Sequence, residues 1–322
     1  MESTSSAVRL TDKDINLFRY LLHMPAISHD CAGALFYESP KSRYPADRLF
    51  KLAQHKLLTR RPYKGLRYNE VPKKGEIYLY SLSMKGLKSL NLSQPVSLPK
   101  KDPRYLWVYH FLSHFLKNLQ DAGIEIDRWV FSGYEKERTN KERWYPFHGI
   151  IQGEEERFQV YFTSEKLIKA NSAHIRSYAV NRKGTSDPYF VLSLDSQSAW
   201  NLRHLAQFPA FRTHVVPYSR APKVLKNLLN DKRHYVKVLG EMLGVEEVFL
   251  AKKYEPFQYY GFQNNRKIYL NPLVTCNTNC LRNLLYLKNE RGLDYDVFTL
   301  LWSEQQKLVP EHPRFYYLTL EE

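Results

Sequence analysis

Residues 43–63, RYPADRLFKLAQHKLLTRRPY, decide the fold predicted for the N-terminal part of the chain. Pro45 is tolerated in the first turn of a helix, where its missing N–H would have no partner anyway. Leu49 and Leu52 recur at helical spacing and predict a buried face, whereas Arg48, Lys51 and Gln54 are predicted to point outward. A pair of leucines then begins a strand. The segment therefore predicts a helix that leads directly into a strand.

Two helices are predicted before this segment, and a second strand and a further helix after it. Thr11 is a good N-cap for a helix that Pro25 ends, and Ser28 caps a shorter helix. The alternating run at 77–82, IYLYSL, predicts a strand, and the basic residues before it predict the loop of a β-hairpin. Residues 83–90 begin one more helix. Three helices, a hairpin and a closing helix in this order predict a winged helix-turn-helix, in which the third helix recognises DNA and the hairpin is the wing.

Positive charge is concentrated in the same region. The chain carries 48 Lys and Arg against 33 Asp and Glu, a net charge of +15. Residues 1–104 hold 19 of these basic and 9 of these acidic residues, and residues 41–88 alone hold 13 and 3. A surplus of this size on one domain favours a polyanionic partner, here double-stranded DNA. The predicted contact residues are Ser42, Arg43, Tyr44, Arg48 and Lys51 on the third helix, and Arg60, Arg61, Lys64, Arg67, Lys73 and Lys74 on the wing.

The rest of the chain predicts a linker followed by a mixed α/β region. Residues 93–104 contain three prolines and no apolar periodicity, which is typical of an extended connection. The region 105–221 begins with a predicted helix at 105–122, whose buried face comprises Leu106, Tyr109, Leu112, Phe115, Leu116 and Leu119. Apolar runs near 124–131, 147–151, 158–162, 189–194 and 213–217 predict strands that alternate with helices, and so an α/β domain around a mixed sheet. Residues 222–322 predict an α+β extension that completes this domain or forms a third one. The predicted class is therefore α+β and α/β multidomain, with the winged helix at 1–92.

Within the extension, the pattern predicts both helices and strands. Helices are expected at 224–230, 235–243, 279–290 and 297–308, and aromatic-rich strands at 249–270. The stretch 252–260, KKYEPFQYY, combines lysines with aromatic rings, so it is a candidate second surface for a nucleic acid or a protein partner.

The N-terminal order resembles the replication-relaxation family of plasmid and mobile-element proteins. The resemblance is carried by LTDKD at 10–14, the arginine-bearing third helix, YSLSMKG at 80–86 and Tyr109-His110. It is clear over 10–92, weaker over 105–218 and absent beyond. It implies a DNA-binding accessory factor in plasmid replication or relaxation that assists a relaxase, with a second domain similar to the restriction-endonuclease-like fold.

An active nuclease of that fold needs a carboxylate on one strand and a Glu-x-Lys pair on the next, because carboxylates hold the Mg²⁺ that activates water. The corresponding segments at 145–149 and 158–162 read YPFHG and FQVYF and contain no carboxylate, and Glu165-Lys166 follows with the wrong spacing. We therefore expect a protein that is not an enzyme and has no cofactor or metal. A metal-dependent DNA nuclease with relocated ligands is the competing alternative.

Weaker candidates for chemistry are a histidine pair and a cysteine pair. His110 and His114 have the i,i+4 spacing that can bind zinc, but no third ligand is visible in the sequence. Cys276 and Cys280 have no partner pair, so we interpret them as ordinary thiols. No glycine-rich phosphate-binding loop is present.

Cysteine usage and hydropathy predict a cytoplasmic protein. Three cysteines cannot form a disulfide framework, the apolar runs fall far short of the ~20 residues that cross a bilayer, and the start MESTSSAVR lacks the apolar core of a signal peptide. We expect no membrane contact. The predicted function is that of a sequence-specific accessory factor in mobile-element replication, relaxation or mobilisation, or of a transcriptional regulator of the same element. A relaxase or replication protein is the expected partner, and a homodimer is a further expectation because helix-turn-helix proteins bind paired half-sites.

Overall fold

The computed structural model divides the chain into two compact units, Met1–Glu142 and Arg143–Glu322. This boundary lies later in the chain than the linker predicted at 93–104, of which only residues 93 and 98 are described. Both units combine helices with sheets, in agreement with the predicted α+β multidomain class. The structure describes residues 8–37, 43–63, 77–93, 98, 106–125, 129–131, 147–154, 156–163, 172–173, 175–176, 188–194, 199–208, 213–290 and 292–320.

The first helix, α1 (Asp12–His23), begins at the predicted cap. The Thr11 hydroxyl accepts a hydrogen bond from the backbone N–H of Asp14 at 3.3 Å, and the Asp14 carboxylate accepts one from the backbone N–H of Thr11 at 2.8 Å. This reciprocal capping box gives partners to amides that have none within the helix. Leu17 and Phe18 are fully buried, so α1 anchors the core of the first unit.

Two further helices surround the same core; a side chain caps the first of them, as predicted, and none in the described part caps the second. The Ser28 hydroxyl accepts a hydrogen bond from the backbone N–H of Cys31 at 3.4 Å, and Pro45 stands in the first turn of the next helix. Leu49 and Leu52 of that helix are fully buried, and the two helices pack against each other. The elements are β1 (Ile27–Ser28), α2 (His29–Phe36) and α3 (Tyr44–Gln54).

A small antiparallel sheet and a short helix follow α3. The sheet order is β1-β3-β2, and residues 64–76, which join β2 to β3 and were predicted as the wing loop, lie outside the described residues. Gly86, in the helix after β3, is required by a close approach, because a Cβ there would lie 2.2 Å from the carbonyl oxygen of Leu57. The elements are β2 (Leu58–Tyr63), β3 (Ile77–Leu82) and α4 (Met84–Lys88).

The next helix, α5 (Leu106–Asp121), belongs to the first unit, although the sequence assigned it to the second domain. It packs against α2 and β1. Leu112, Phe115 and Leu116 are fully buried; the pattern predicts this buried face correctly, but periodicity does not say which element a face will cover. At 16 residues α5 is the longest helix described, and no helix in the described part is long and apolar enough to cross a membrane. A short strand, β4 (Trp129–Phe131), follows.

The second unit begins with four strands that lie side by side in chain order. The first pair is antiparallel, and the next two pairs are parallel. All five residues of the third strand are buried, as expected for a parallel strand covered on both faces. The strands match the predicted segments to within about one residue. They are β5 (Phe147–Gln152), β6 (Arg157–Thr163), β7 (Tyr189–Ser193) and β8 (Thr213–Pro217), with the short helix α6 (Leu202–Leu205) between β7 and β8.

Three helices and a second sheet of five strands follow in the described part of this unit. The helices agree with the prediction. Asn264 and Asn265 have φ angles of 48° and 61°, the left-handed backbone that a two-residue hairpin turn requires, and they connect β10 to β11. The sheet order is β13-β12-β11-β10-β9. The elements are α7 (Ala221–Asn230), α8 (His234–Met242), β9 (Phe249–Leu250), β10 (Tyr259–Gln263), β11 (Arg266–Pro272), α9 (Thr278–Leu287), β12 (Asp296–Leu301) and β13 (Phe315–Thr319), with 3-10 turns at Leu273–Thr275 and Ser303–Leu308.

The prediction of a helix at 297–308 is wrong. Its first part is strand β12, and its second part is the 3-10 turn Ser303–Leu308. Short apolar runs fit a buried strand as well as a buried helix. β12 pairs with both β11 and β13, and its residues Val297, Leu300 and Leu301 are fully buried, so this apolar run belongs to a buried central strand.

The two sheets of the second unit share one strand pattern. In β5–β8 and in β10–β13, an antiparallel pair is followed by two parallel pairs, and in each set the four strands lie in chain order. The second unit is therefore built from two halves of equivalent topology.

Candidate nucleic-acid interface

The exposed face of α3 carries most of the side chains that the sequence assigns to DNA contact on that helix. The Arg43 side chain is 89% exposed and Tyr44 is 55% exposed. Arg43, Asp47 and Lys51 follow one another at intervals of four residues, so they share one face of the helix. Arg43 and Asp47 form an exposed ion pair, with Nε 3.4 Å from Oδ1. Such a pair contributes about 0–1 kcal/mol because water solvates both groups, so a phosphate or a base can displace it at little cost.

Arg48 lies at the edge of that face and connects α3 to α1. Its Nε donates to Oδ1 of Asp14 at 3.1 Å, and its Nη2 donates to Oδ2 of the same carboxylate. Nη2 also donates to the backbone carbonyl of Arg9 at 2.8 Å. Only 11% of the Arg48 side chain and none of the Asp14 side chain is exposed. The prediction that Arg48 points outward is therefore wrong, because a buried carboxylate holds its guanidinium, and we leave Arg48 out of the proposed interface.

The Asp14 carboxylate is surrounded by further donors. The hydroxyls of Tyr37 and Thr11 both donate to it at 2.9 Å. Burial by itself raises the pKa of Asp14, but the hydrogen bonds from Arg48, Thr11 and Tyr37 outweigh burial and hold that pKa below its ordinary value. The hydrogen bond to Asp14 in turn raises the pKa of Arg48. The pair is thus ionised at neutral pH and fixes the position of α3.

Arg60 of β2 joins the hairpin to α3. Its guanidinium carbon lies 3.4 Å from the centre of the Tyr78 ring and 5.1 Å from that of Phe50. These are cation–π contacts, and Phe50 belongs to the exposed face of α3. Arg61 is also exposed, but side chains alternate along a strand, so it projects from the opposite face of β2. Arg60 therefore places a positive charge where α3 meets the hairpin.

The structure describes six of the eleven predicted contact residues. It brings Arg43, Tyr44 and Lys51 onto one exposed face with Arg60 beside them, and it turns Arg48 inward. Sequence reasoning missed Phe50, although Phe50 falls outside the apolar spacing of α3 and so signals an exposed ring. The predicted contacts that lie outside the described residues are Ser42, Lys64, Arg67, Lys73 and Lys74.

Two histidines on α5 form a second cluster of titratable side chains. The rings of His110 and His114 lie 4.6 Å apart, near His29 and Asp30 of α2, which are 2.8 Å apart. Burial lowers the pKa of His110 to about 4 and also lowers that of His114, so both rings are neutral at pH 7. Among the described residues, no three or more His, Cys, Asp or Glu side chains are grouped so that they could hold a metal ion.

The other candidate groups for chemistry in the second unit are the thiols of Cys276 and Cys280 and the side chains of strands β5 and β6. Cys276 is buried and its Sγ accepts a hydrogen bond from Gln305 at 3.0 Å. Burial raises the pKa of Cys276 and of Cys280 to about 12, so both thiols stay protonated. β5 reads FHGIIQ and β6 reads RFQVYFT, with no carboxylate in either strand.

Comparisons of the chain with known protein families, with curated proteins and with solved structures give no match. The resemblance to replication-relaxation proteins therefore depends on the sequence motifs alone.

Proposed function

We propose that the chain is a sequence-specific protein that binds double-stranded DNA through a winged helix-turn-helix in its first unit. The order of elements from α1 to β3 and the sheet order β1-β3-β2 support this proposal, because they agree with that fold. α3 occupies the place of the helix that enters the major groove in such proteins. The observation that carries the proposal is the exposed cationic and aromatic face formed by Arg43, Tyr44 and Lys51.

Each of these side chains has a distinct task in the proposed complex. Arg43, at the start of α3, presents a guanidinium that can donate to both O6 and N7 of a guanine. Lys51 is a point charge for a backbone phosphate, and the positive N-terminus of α3 also favours a phosphate. Arg60 lies between helix and hairpin, where it reaches the backbone beside the groove. The other proposed phosphate contacts of the wing, Lys64, Arg67, Lys73 and Lys74, lie outside the described residues.

Binding by the full-length chain tests this proposal. The target is selected from a random duplex library, and affinity is measured by fluorescence anisotropy over a range of salt concentrations. Arg43→Ala should weaken the selected site by about 1–3 kcal/mol, because a base contact is lost. Lys51→Ala should weaken all sequences alike and reduce the salt dependence. Lys226→Ala, an exposed position on α7, is the matched control. No duplex binding at low salt, or equal binding by Arg43→Ala and the control, would refute the proposal.

The biological setting that we propose is that of an accessory factor in the replication, relaxation or mobilisation of a mobile element in the cytoplasm. The resemblance to the replication-relaxation family supports it, and a relaxase or replication protein is then the partner. The second unit would recruit that partner or a second copy of the chain. A regulator of the element's own genes would use the same binding chemistry, and a footprint at its promoter rather than at a replication or transfer origin would identify it.

A further inference from the structure

A cavity of about 220 Å³ lies between the two topologically equivalent halves of the second unit. The first half contributes Phe158 of β6 and His214 of β8 to its lining, and the second half contributes Tyr259 of β10 and Asn277 at the start of α9. A water molecule occupies about 30 Å³ of liquid, so this space exceeds what isolated waters need. Junctions of this kind are common places for small-ligand sites. We call this space the junction cavity.

One side of the junction cavity is electropositive. Lys232 and Arg233 line it, and Arg233 is also the N-cap of α8, where no side chain caps the helix. The cavity further reaches the first turn of α9 through Cys280. The backbone N–H groups of Arg233 and His234 at the start of α8 donate to Asp231, and those of Asn279 and Cys280 in α9 donate to the Asn277 side chain. The positive charge at the cavity therefore comes from the side chains of Lys232 and Arg233. Among the described residues that line the cavity, Glu156 is the one carboxylate, and together with Lys232 and Arg233 it gives a formal charge of +1.

The other side offers flat and apolar surfaces with a few hydrogen-bonding groups. His214 stacks on Phe190 with 26° between the ring planes, and its Nδ1 lies 2.7 Å from the Thr275 hydroxyl. Phe158 and Leu228 add apolar wall, and Tyr259 adds an aromatic one. Aromatic walls beside a cationic end suit a ligand that combines a planar ring with an anionic group.

We propose that the junction cavity binds a phosphomonoester attached to a nucleoside. The side chains of Arg233 and Lys232 hold the phosphate, and the wall formed by His214, Phe158 and Tyr259 accommodates the base. This chemistry has two sources, a free nucleoside monophosphate and the 5′-phosphorylated end of a nucleic-acid strand. The proposal does not depend on the duplex-binding surface of the first unit.

Calorimetric titration of the full-length chain separates these cases. The probes are the four deoxynucleoside 5′-monophosphates, deoxyadenosine, inorganic phosphate, and a dinucleotide with either a 5′-phosphate or a 5′-hydroxyl. At least one monophosphate or the 5′-phosphorylated dinucleotide should bind saturably. The same probe without its phosphate, and phosphate alone, should each bind at least about tenfold more weakly, since loss of about 1.4 kcal/mol is a factor of ten.

Substitutions in the chain test whether the preferred probe binds in the junction cavity. Arg233→Gln should raise the Kd of the preferred probe at least about tenfold, and Lys226→Gln, an exposed control on α7, should not change it. Binding by the dinucleotide alone would assign the site to strand ends, and binding by a monophosphate would assign it to free nucleotides as well. The proposal is overturned if no probe binds saturably, if Arg233→Gln binds like the wild type, or if Arg43→Ala abolishes the binding instead.

Discussion

Replacing Arg48 with alanine should lower the free energy of unfolding of the first unit, and it should not remove a DNA contact. In Arg48→Ala the Asp14 carboxylate stays buried but loses both hydrogen bonds from the guanidinium. Loss of one partner of a buried ion pair costs about 3–5 kcal/mol because the other charge is left without compensation. Asp14 keeps its hydrogen bonds from Thr11 and Tyr37, so we expect the lower end, about 3 kcal/mol.

The assay is thermal and urea unfolding of the full-length chain, followed by circular dichroism, with Arg43→Ala as the matched control. At about 2–4 °C per kcal/mol, the transition of the first unit should shift down by about 6–12 °C in Arg48→Ala. Arg43 is exposed, so its removal should change stability by less than about 0.5 kcal/mol. A substantial loss of stability in Arg48→Ala alone would agree with the structure.

The ion pair also predicts a dependence on pH. The pKa of Asp14 is lowered in the folded protein, so the unfolded chain takes up a proton at a higher pH than the folded chain does. The contribution of the ion pair to the free energy of unfolding is fully present above the ordinary pKa of an aspartate and is lost as the pH falls through the lowered pKa. In Asp14→Asn, the free energy of unfolding should therefore depend less on pH in the acidic range. If Arg48→Ala unfolded like the wild type and lost DNA affinity to the same extent as Arg43→Ala, the structural role assigned to Arg48 would be wrong.

Three further predictions concern α4, α5 and the hairpin. Gly86→Ala should lower the unfolding midpoint in urea, since the added methyl group would lie 2.2 Å from the Leu57 carbonyl oxygen; an unchanged midpoint would contradict the close approach. Burial lowers the pKa of His110 to about 4, so the free energy of unfolding should fall by up to about 3 kcal/mol between roughly pH 6.5 and pH 4, as the unfolded chain takes up a proton that the folded chain refuses. His110→Gln should show a flatter pH profile over that interval. Arg60→Lys keeps the charge but loses the planar contact with Tyr78 that positions it at the DNA backbone, so affinity measured by anisotropy should fall by about 0.5–1 kcal/mol for the selected site and for unrelated duplexes alike; a loss confined to the selected site would contradict the backbone contact.

Local signals in the sequence predict most helix starts and strand positions, because the physics that sets them is local. The Thr11 cap, Pro45 in the first turn and the strand Thr213–Pro217 all depend on neighbouring residues. The inward position of Arg48, by contrast, could not be predicted from its neighbours in the sequence. At roughly 100° per residue it projects between the exposed and the buried arcs of α3, and its partner Asp14 is 34 positions away in the chain. Asp14 by itself suggests no more than a favourable charge at a helix N-terminus.

The unit against which α5 packs and the secondary structure of residues 297–308 could not be predicted from the sequence for a related reason. An apolar stripe specifies that a surface will be covered, but the covering element is chosen by the whole chain. The junction cavity is a further example, because its walls come from segments between Glu156 and Cys280 that no motif connects.

The shared strand pattern of the two halves of the second unit has a kinetic consequence. The hairpin β10–β11 closes over two residues, whereas the parallel pairs bring together Gln159 with Tyr189 and Ile268 with Asp296. A parallel pair must wait until its crossover has formed, and closing a longer loop costs more chain entropy. We expect hairpins to appear early during refolding and parallel neighbours late, so that freshly synthesised chains expose apolar strand edges for a time. Low growth temperature and a chaperone should therefore raise the recovered yield of this protein.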